Sequence, residues 1–162
     1  MKIKSDHITN SSSSSFIVAF DKLPETAEEM RKILFDENQI LFKSPYVFDD
    51  KDVEGWAVED VAEIVFEQTK LALADDVLDE LCEIADDDWE QFEDADGKLD
   101  WVALRKHRRN VAEEKMKHLI KNDWKNKLVC IYEYSDNDGE LQTAMEHGNL
   151  FRRLPHIRIS KH

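Results

Sequence analysis

An uninterrupted run, Asn10-Ser11-Ser12-Ser13-Ser14-Ser15, ends directly against Phe16-Ile17-Val18-Ala19-Phe20, and this junction constrains the chain more than any other feature. Four of those five apolar residues are β-branched or aromatic, so the segment reads as a buried strand. A flexible linker sheds polar composition gradually. Here five hydroxyls stop at a β-prone segment, which places the run at the mouth of the strand and predicts a pocket edge there.

With 162 residues and 41% hydrophobic composition, one domain spanning 1–162 with a real core is expected. Apolar runs of about five residues fall far short of the roughly 20 needed to span a bilayer. The N-terminus carries no apolar leader core, so a cytoplasmic protein without membrane association is expected. Cys82 and Cys130 lack CxxC spacing and fall on apolar faces, which predicts reduced, buried thiols and neither a disulfide nor a zinc site.

The formal net charge is −14, which argues against a general nucleic-acid binder because phosphate attraction requires a basic footprint. The charge is unevenly placed. Between Asp75 and Asp100 stand thirteen carboxylates and one lysine, whereas Arg105 to Lys127 holds nine Lys or Arg against Glu113, Glu114 and Asp123. Two neighbouring helices of opposite charge, paired antiparallel, are the plain reading. The sharper reading is an acidic surface, Asp75, Asp76, Asp79, Glu80, Glu83, Asp86, Asp87 and Glu90, that receives a basic partner.

Thr26 followed by Glu29 forms a capping box before Met30, Ile33 and Leu34, predicting a short amphipathic helix. Glu37 to Gly55 loses periodicity and reads as a loop with apolar anchors, a candidate lid. Helical stripes follow through Val58, Val61, Ala62, Ile64, Val65 and Leu71, then through Val77, Leu78, Leu81, Ile84, Ala85, Trp89 and Phe92. Asp96-Gly97 is a stop, and Asp100 is the N-cap of the longest helix, with Trp101, Leu104, Val111, Ala112 and Leu119 on one face and Arg108 in its middle. Trp56, Trp89, Trp101 and Trp124 are expected to pack in the core rather than stack on bases.

Leu128 to Tyr134 reads as a central strand closed by Asp136-Asn137-Asp138-Gly139. Glu140 to His147 reads as a helix stopped by Gly148, and Leu154 to Ser160 as a closing strand. The order predicts an α/β or α+β fold, in which a small β-sheet formed by the N- and C-terminal segments carries a helical middle, about 56–123, packed on it.

If the termini share a sheet, Asn10, Ser11, Ser12, Ser13, Ser14 and Ser15 come near His147, His156 and His162, with Arg108 as a further clamp. Hydroxyls, backbone N–H groups and imidazoles could then hold a phosphate-bearing ligand or hydrolyse it. No Gly-x-Ser-x-Gly elbow or Walker loop accompanies the serines, and no catalytic residue is assigned. The histidine spacings match no zinc motif, and Asp94 to Gly97 and Asp136 to Gly139 lack the ligand register of an EF-hand, so neither metal nor cofactor is expected.

The opening Lys2-Ile3-Lys4 through Asn10-Ser11-Ser12-Ser13-Ser14-Ser15-Phe16 resembles the Ser-Asn-Ser-Ser-Ser-Ser-Ser-Phe tract of small uncharacterised proteins from bacteria and tailed phages. Thr9 stands where that tract has serine, and His7 where it has a small residue. Glu146-His147-Gly148 with Leu154-Pro155-His156-Ile157-Arg158 and His162 is similar to endings in the same group. The resemblance implies a phage or bacterial accessory protein and carries over no activity or catalytic residue.

The leading functional expectation is therefore a non-enzymatic cytoplasmic accessory or regulatory protein that meets another protein through its acidic helical surface. The alternative is the phosphate or nucleotide site at the serine run. A third reading is nucleic-acid binding through the basic helix 105–121, with Arg105, Lys106, His107, Arg108, Arg109, Lys115, Lys117 and Lys121.

Overall fold

The computed structural model describes residues 12–45, 55–84 and 89–161. Three strands, β1 (Ser13–Phe20), β4 (Leu128–Ser135) and β5 (His156–Lys161), form an antiparallel sheet in the order β4-β1-β5. A two-stranded sheet pairs β2 (Leu41–Phe42) with β3 (Trp56–Ala57). The helices are α1 (Ala27–Leu34), α2 (Val58–Gln68), α3 (Ala74–Cys82), α4 (Trp101–His118) and α5 (Glu140–His147). Of the two predicted classes the antiparallel sheet selects α+β, and the N- and C-terminal segments do meet as neighbouring strands.

Strand β1 occupies the middle, and its residues Phe16 to Phe20 are at most 3% exposed. Alternation sends Phe16, Val18 and Phe20 to one face, against Met30 and Leu34 of α1, Val58, Val61, Ala62 and Val65 of α2, and Ala144 and Met145 of α5. Ile17 and Ala19 point to the other face, against Val77, Leu78 and Leu81 of α3, Ala112 of α4, and Trp124. Helices thus cover both faces, which is why β1 is apolar at every position from Phe16 onward.

The expected central strand, Leu128 to Tyr134, is instead a flank. β4 pairs with β1 on one side, while a short extended stretch covers its other side, where Ala72 N–H donates to the Val129 carbonyl at 2.9 Å and Leu71 bridges Cys130. Its aromatic content serves packing toward α2: Tyr134 donates to Gln68 Oε1 at 2.9 Å, and the Tyr132 hydroxyl lies 2.6 Å from Thr69 Oγ1. Leu71 therefore falls outside α2, which ends at Gln68, and lies beside β4.

Both N-caps read from the sequence hold, although Glu29 reaches back past the Thr26 N–H of a closed capping box to that of Glu25. Thr26 Oγ1 accepts from Glu29 N–H at 3.1 Å, the Glu29 carboxylate accepts from Glu25 N–H, and Asp100 Oδ1 accepts from Val102 and Ala103 N–H. Two further expectations change. Leu41–Phe42 is a strand where a loop is predicted, and the lid expected within 37–55 falls partly outside the described residues. Phe42 packs so closely on the end of α5 that a Cβ at Gly148 would come 2.6 Å from its ring. Trp101 and Trp89 do not reach the core: they are 60% and 49% exposed. Beyond His118 the helix continues as a π-helical turn, Leu119–Asp123, which seats Trp124 in the core.

Both cysteines are free, with Cys130 buried and Cys82 half-buried. Burial pushes the Cys130 thiol up from 9.0 to about 11 and raises the Tyr132 and Tyr134 phenols as well. Between pH 9 and 11 the unfolded chain releases a thiol proton that the folded chain keeps, so stability falls as pH rises through that window. The Cys130 part amounts to about 1 kcal/mol at pH 10. Urea unfolding of Cys130→Ala at pH 8 and pH 10 is expected to show a shallower alkaline loss than the parent chain. An unchanged slope would reject this assignment.

Candidate functional site

The serine tract enters the sheet as the first residues of its central strand, and strand alternation divides its hydroxyls. Ser13 and Ser15 share the parity of Ile17 and Ala19, on the α3 and α4 face. Ser14 shares the parity of Phe16, on the α5 face, and Ser12 precedes the strand. Ser14 and Ser15 are fully buried. Asn10 and Ser11 lie outside the described residues.

On the α5 face the hydroxyls meet carboxylates. Ser14 Oγ donates to Glu146 Oε1 at 3.0 Å, and Ser12 Oγ lies 3.2 Å from Glu146 Oε2 and 3.0 Å from Asp136 Oδ2. A hydroxyl owns one hydrogen, so Ser12 can donate to only one of these two carboxylates at a time. Glu146 is 1% exposed. A buried carboxylate requires donors and a nearby cation, and Arg158 supplies the cation. Its Nε donates to Ser14 Oγ at 3.2 Å, its Nη2 lies 4.0 Å from Glu146 Oε1, and its guanidinium rests over the Phe16 ring. Ser14 thus accepts from Arg158 and donates to Glu146, linking the two.

His147 completes the cluster. Its Nδ1 lies 3.2 Å from Arg158 Nη2, and its Nε2 lies 3.4 Å from Glu146 Oε2. A guanidinium only donates, so Nδ1 is the acceptor and the ring hydrogen sits on Nε2, facing Glu146. Of the predicted pocket, Ser12, Ser14 and His147 are brought together.

The others are not gathered there. His156 pairs opposite Val18, four residues along the strand from Ser14, and its Nδ1 donates to the Leu154 carbonyl at 2.9 Å. Arg108 lies on α4, on the opposite face of the sheet from the Ser14 and Glu146 cluster, where its charge and that of Arg109 partly offset the burial that raises the Cys82 thiol. His162 lies outside the described residues. Glu146, Asp136 and Arg158 were not selected from sequence, because only the strand register places Arg158 and the end of α5 beside Ser14.

Chemically the cluster holds a buried carboxylate. Two hydroxyls that could have offered donors to a phosphate are directed at Glu146 and Asp136, whose charges would repel an anion. Asp136 Oδ1 and Ser15 Oγ are buried without a hydrogen-bond partner among the described residues. Among those residues no group of three or more His, Cys, Asp or Glu is arranged to hold a metal ion.

The acidic surface divides into two parts. On α3, Asp75 and Asp79 lie 3.7 and 3.4 Å from Arg109 of α4, which also meets Glu113 one turn along its own helix at 3.5 Å; Asp76 accepts from Leu73 N–H, and Glu80 pairs with Lys161 at 3.1 Å. Glu83 and Glu90 are exposed, while Asp86 and Asp87 lie outside the described residues. Farther along, a 3₁₀ turn at Trp89–Phe92 leads into a tight acidic turn. Asp94 Oδ1 accepts from Asp96 and Lys98 N–H at 2.9 Å each, Glu93 bridges Leu99, and Gly97 takes the left-handed φ of +75° that the turn needs. Beside it a surface recess of about 660 Å³ is lined by Phe92, Glu93, Asp94, Leu99, Trp101 and Val102. Val102 is 78% exposed.

No family model, no curated protein and no solved structure matches this chain. Among the described residues no helix is long and apolar enough to cross a membrane.

Ser14→Ala leaves Glu146 and Arg158 each one partner short. It is expected to cost about 1–3 kcal/mol in urea unfolding, whereas Ser13→Ala changes stability by less than about 0.5 kcal/mol. Equal effects from the two variants would show that the hydroxyl at position 14 does not anchor Glu146.

Proposed function

We propose that this chain is a non-enzymatic accessory or regulatory protein that docks a basic protein partner on its acidic surface. The observation that carries this reading is the exposed pair Trp101 and Val102 at the start of α4, lining a recess with Glu93, Asp94 and Asp100, with Trp89 and Glu90 also exposed on the preceding 3₁₀ turn. Exposed tryptophans bordered by charge are the anchors that binding surfaces use, since a flat ring buries a large area at small entropic cost. Backbone N–H groups hold the Asp94 and Asp100 carboxylates in place before any partner arrives, which lowers the ordering cost of binding.

Within the acidic stretch, the α3 carboxylates are largely matched by Arg109 and Lys161. The contact surface therefore centres farther along, on the turn and the first turn of α4. A net charge of −14 speeds encounter with a cationic surface and opposes polyanions. The nucleic-acid reading of helix 105–121 is supported less, because Arg109 and Lys117 already face carboxylates. The phosphate-ligand reading is supported less because Ser12 and Ser14 donate to carboxylates. The resemblance of the serine tract suggests a bacterial or phage-infected cytoplasm as the setting.

An amphipathic peptide of alternating lysine and leucine clusters serves as the probe, titrated against the protein and followed by tryptophan fluorescence. Binding is expected to weaken more than about tenfold between 50 and 300 mM salt, as screening shortens the reach of the carboxylates. Trp101→Ala is expected to weaken it by about thirtyfold, the scale of a hot-spot residue. Affinity indifferent to both salt and Trp101→Ala would reject the surface.

A further inference from the structure

The two flanks of the main sheet end differently. The outer side of β4 is covered by Leu71 and Ala72, whereas among the described residues no strand pairs with the outer side of β5. The register states which backbone groups that edge offers. Ala19 N–H donates to the Pro155 carbonyl at 2.9 Å, so residues of the same parity in β5, Ile157, Ile159 and Lys161, direct their N–H and C=O groups to β1. His156, Arg158 and Ser160 therefore direct theirs outward, three donors and three acceptors in a row.

Two features beside that row would read a bound strand. On the α3 and α4 face, a groove of about 310 Å³ is lined by Leu81, Ile84, Lys115, His118, Leu119 and Ile157. It contains no acidic residue, and its floor is apolar. On the α5 face, the half-exposed guanidinium of Arg158 stands in the middle of the strand.

We infer that the outer edge of β5 accepts an extended segment of another protein, with a carboxylate side chain opposite Arg158 and an aliphatic side chain at the next position, in the groove beside Ile157. Successive residues of a strand face opposite sides, so one such pair reads both features at once. The cations Arg158 and Lys115 set the sign of the segment's charge. A second copy of this chain fits worse: pairing β5 with itself about a two-fold through Arg158 sets guanidinium against guanidinium. This site is separate from the tryptophan surface.

The test uses the full chain with the acetylated and amidated peptide Thr-Val-Glu-Val-Thr at millimolar concentration, followed by amide NMR and hydrogen exchange. The expected result is slowed exchange at His156, Arg158 and Ser160, with shift changes at Leu81, Ile84 and Leu119. Ser160→Pro removes one outward donor and leaves the ladder to β1 intact, and it should weaken binding threefold to tenfold, the range of one hydrogen bond. Should that variant misfold, replacing the peptide's glutamate by lysine provides an independent check and should weaken binding at least tenfold, while Arg158→Gln should remove the preference between the two peptides. Protection that appears without peptide and grows with protein concentration would instead make the edge a self-association site and overturn the inference. So would the absence of any perturbation, which is the result expected if the charges merely guard the edge.

Discussion

Enclosure of β1 on all four lateral sides is the constraint on which the rest of this structure depends. Its hydrogen bonds are divided between β4 and β5, and its side chains between two helical layers. Fully burying each large apolar residue of Phe16 to Phe20 contributes on the order of 1.5–3 kcal/mol, and that gain is realised only when both layers are present. The requirement joins distant parts of the chain, since Phe20 pairs with Leu128 and Ser13 with Lys161. Such non-local pairing carries a loop-closure cost, and the many hydrogen bonds and apolar contacts along eight residues of β1 offset it.

The mouth of that strand explains the serine run better than a ligand does. As β1 leaves the apolar layers it still lies between two strands and under α5, so the side chains there must be small, yet able to hydrogen-bond. Serine meets both demands. Ser12 and Ser14 address Glu146, Arg158 adds the countercharge, and His147 bridges the two. A buried network of this kind favours one packing, because displacing any member leaves another unpaired. Ser15 lies on the opposite face, buried and without a hydroxyl partner among the described residues. Its burial costs free energy that the surrounding sheet offsets.

Charge is used in two ways outside the core. Where α3 meets α4, Asp75 and Asp79 lie against Arg109, and Lys161 reaches Glu80 from the sheet. These are largely exposed pairs of small individual effect. Past Trp89 the carboxylates have backbone N–H groups as their hydrogen-bond partners at Asp94 and Asp100, which fix geometry without cancelling charge. The first arrangement sets charge against opposite charge between elements, and the second leaves the carboxylates' charge uncancelled. The same distinction marks the sheet edges, one covered by the chain's own Leu71 and Ala72, the other bordered by cations.

Much of the architecture was legible in the chain itself, because the signals are local. Phe16 to Phe20 is too apolar and β-branched for anything but a buried strand, the Thr26 and Asp100 caps mark helix starts through hydrogen bonds spanning three residues, and β-branched and aromatic content marks the strand at Leu128 to Tyr134. What lay beyond that reading depends on which segments meet. That β1 rather than β4 is central follows from register and from the covering of both faces. Trp101 is exposed although its spacing matches the buried Leu104 one turn on. The partnership of Ser14, Glu146 and Arg158 joins residues more than a hundred positions apart through a strand register that only packing determines. Periodicity along a chain reports which side of an element is apolar; the tertiary structure alone decides how far along that side a neighbour reaches, and so which polar groups are buried and must find one another.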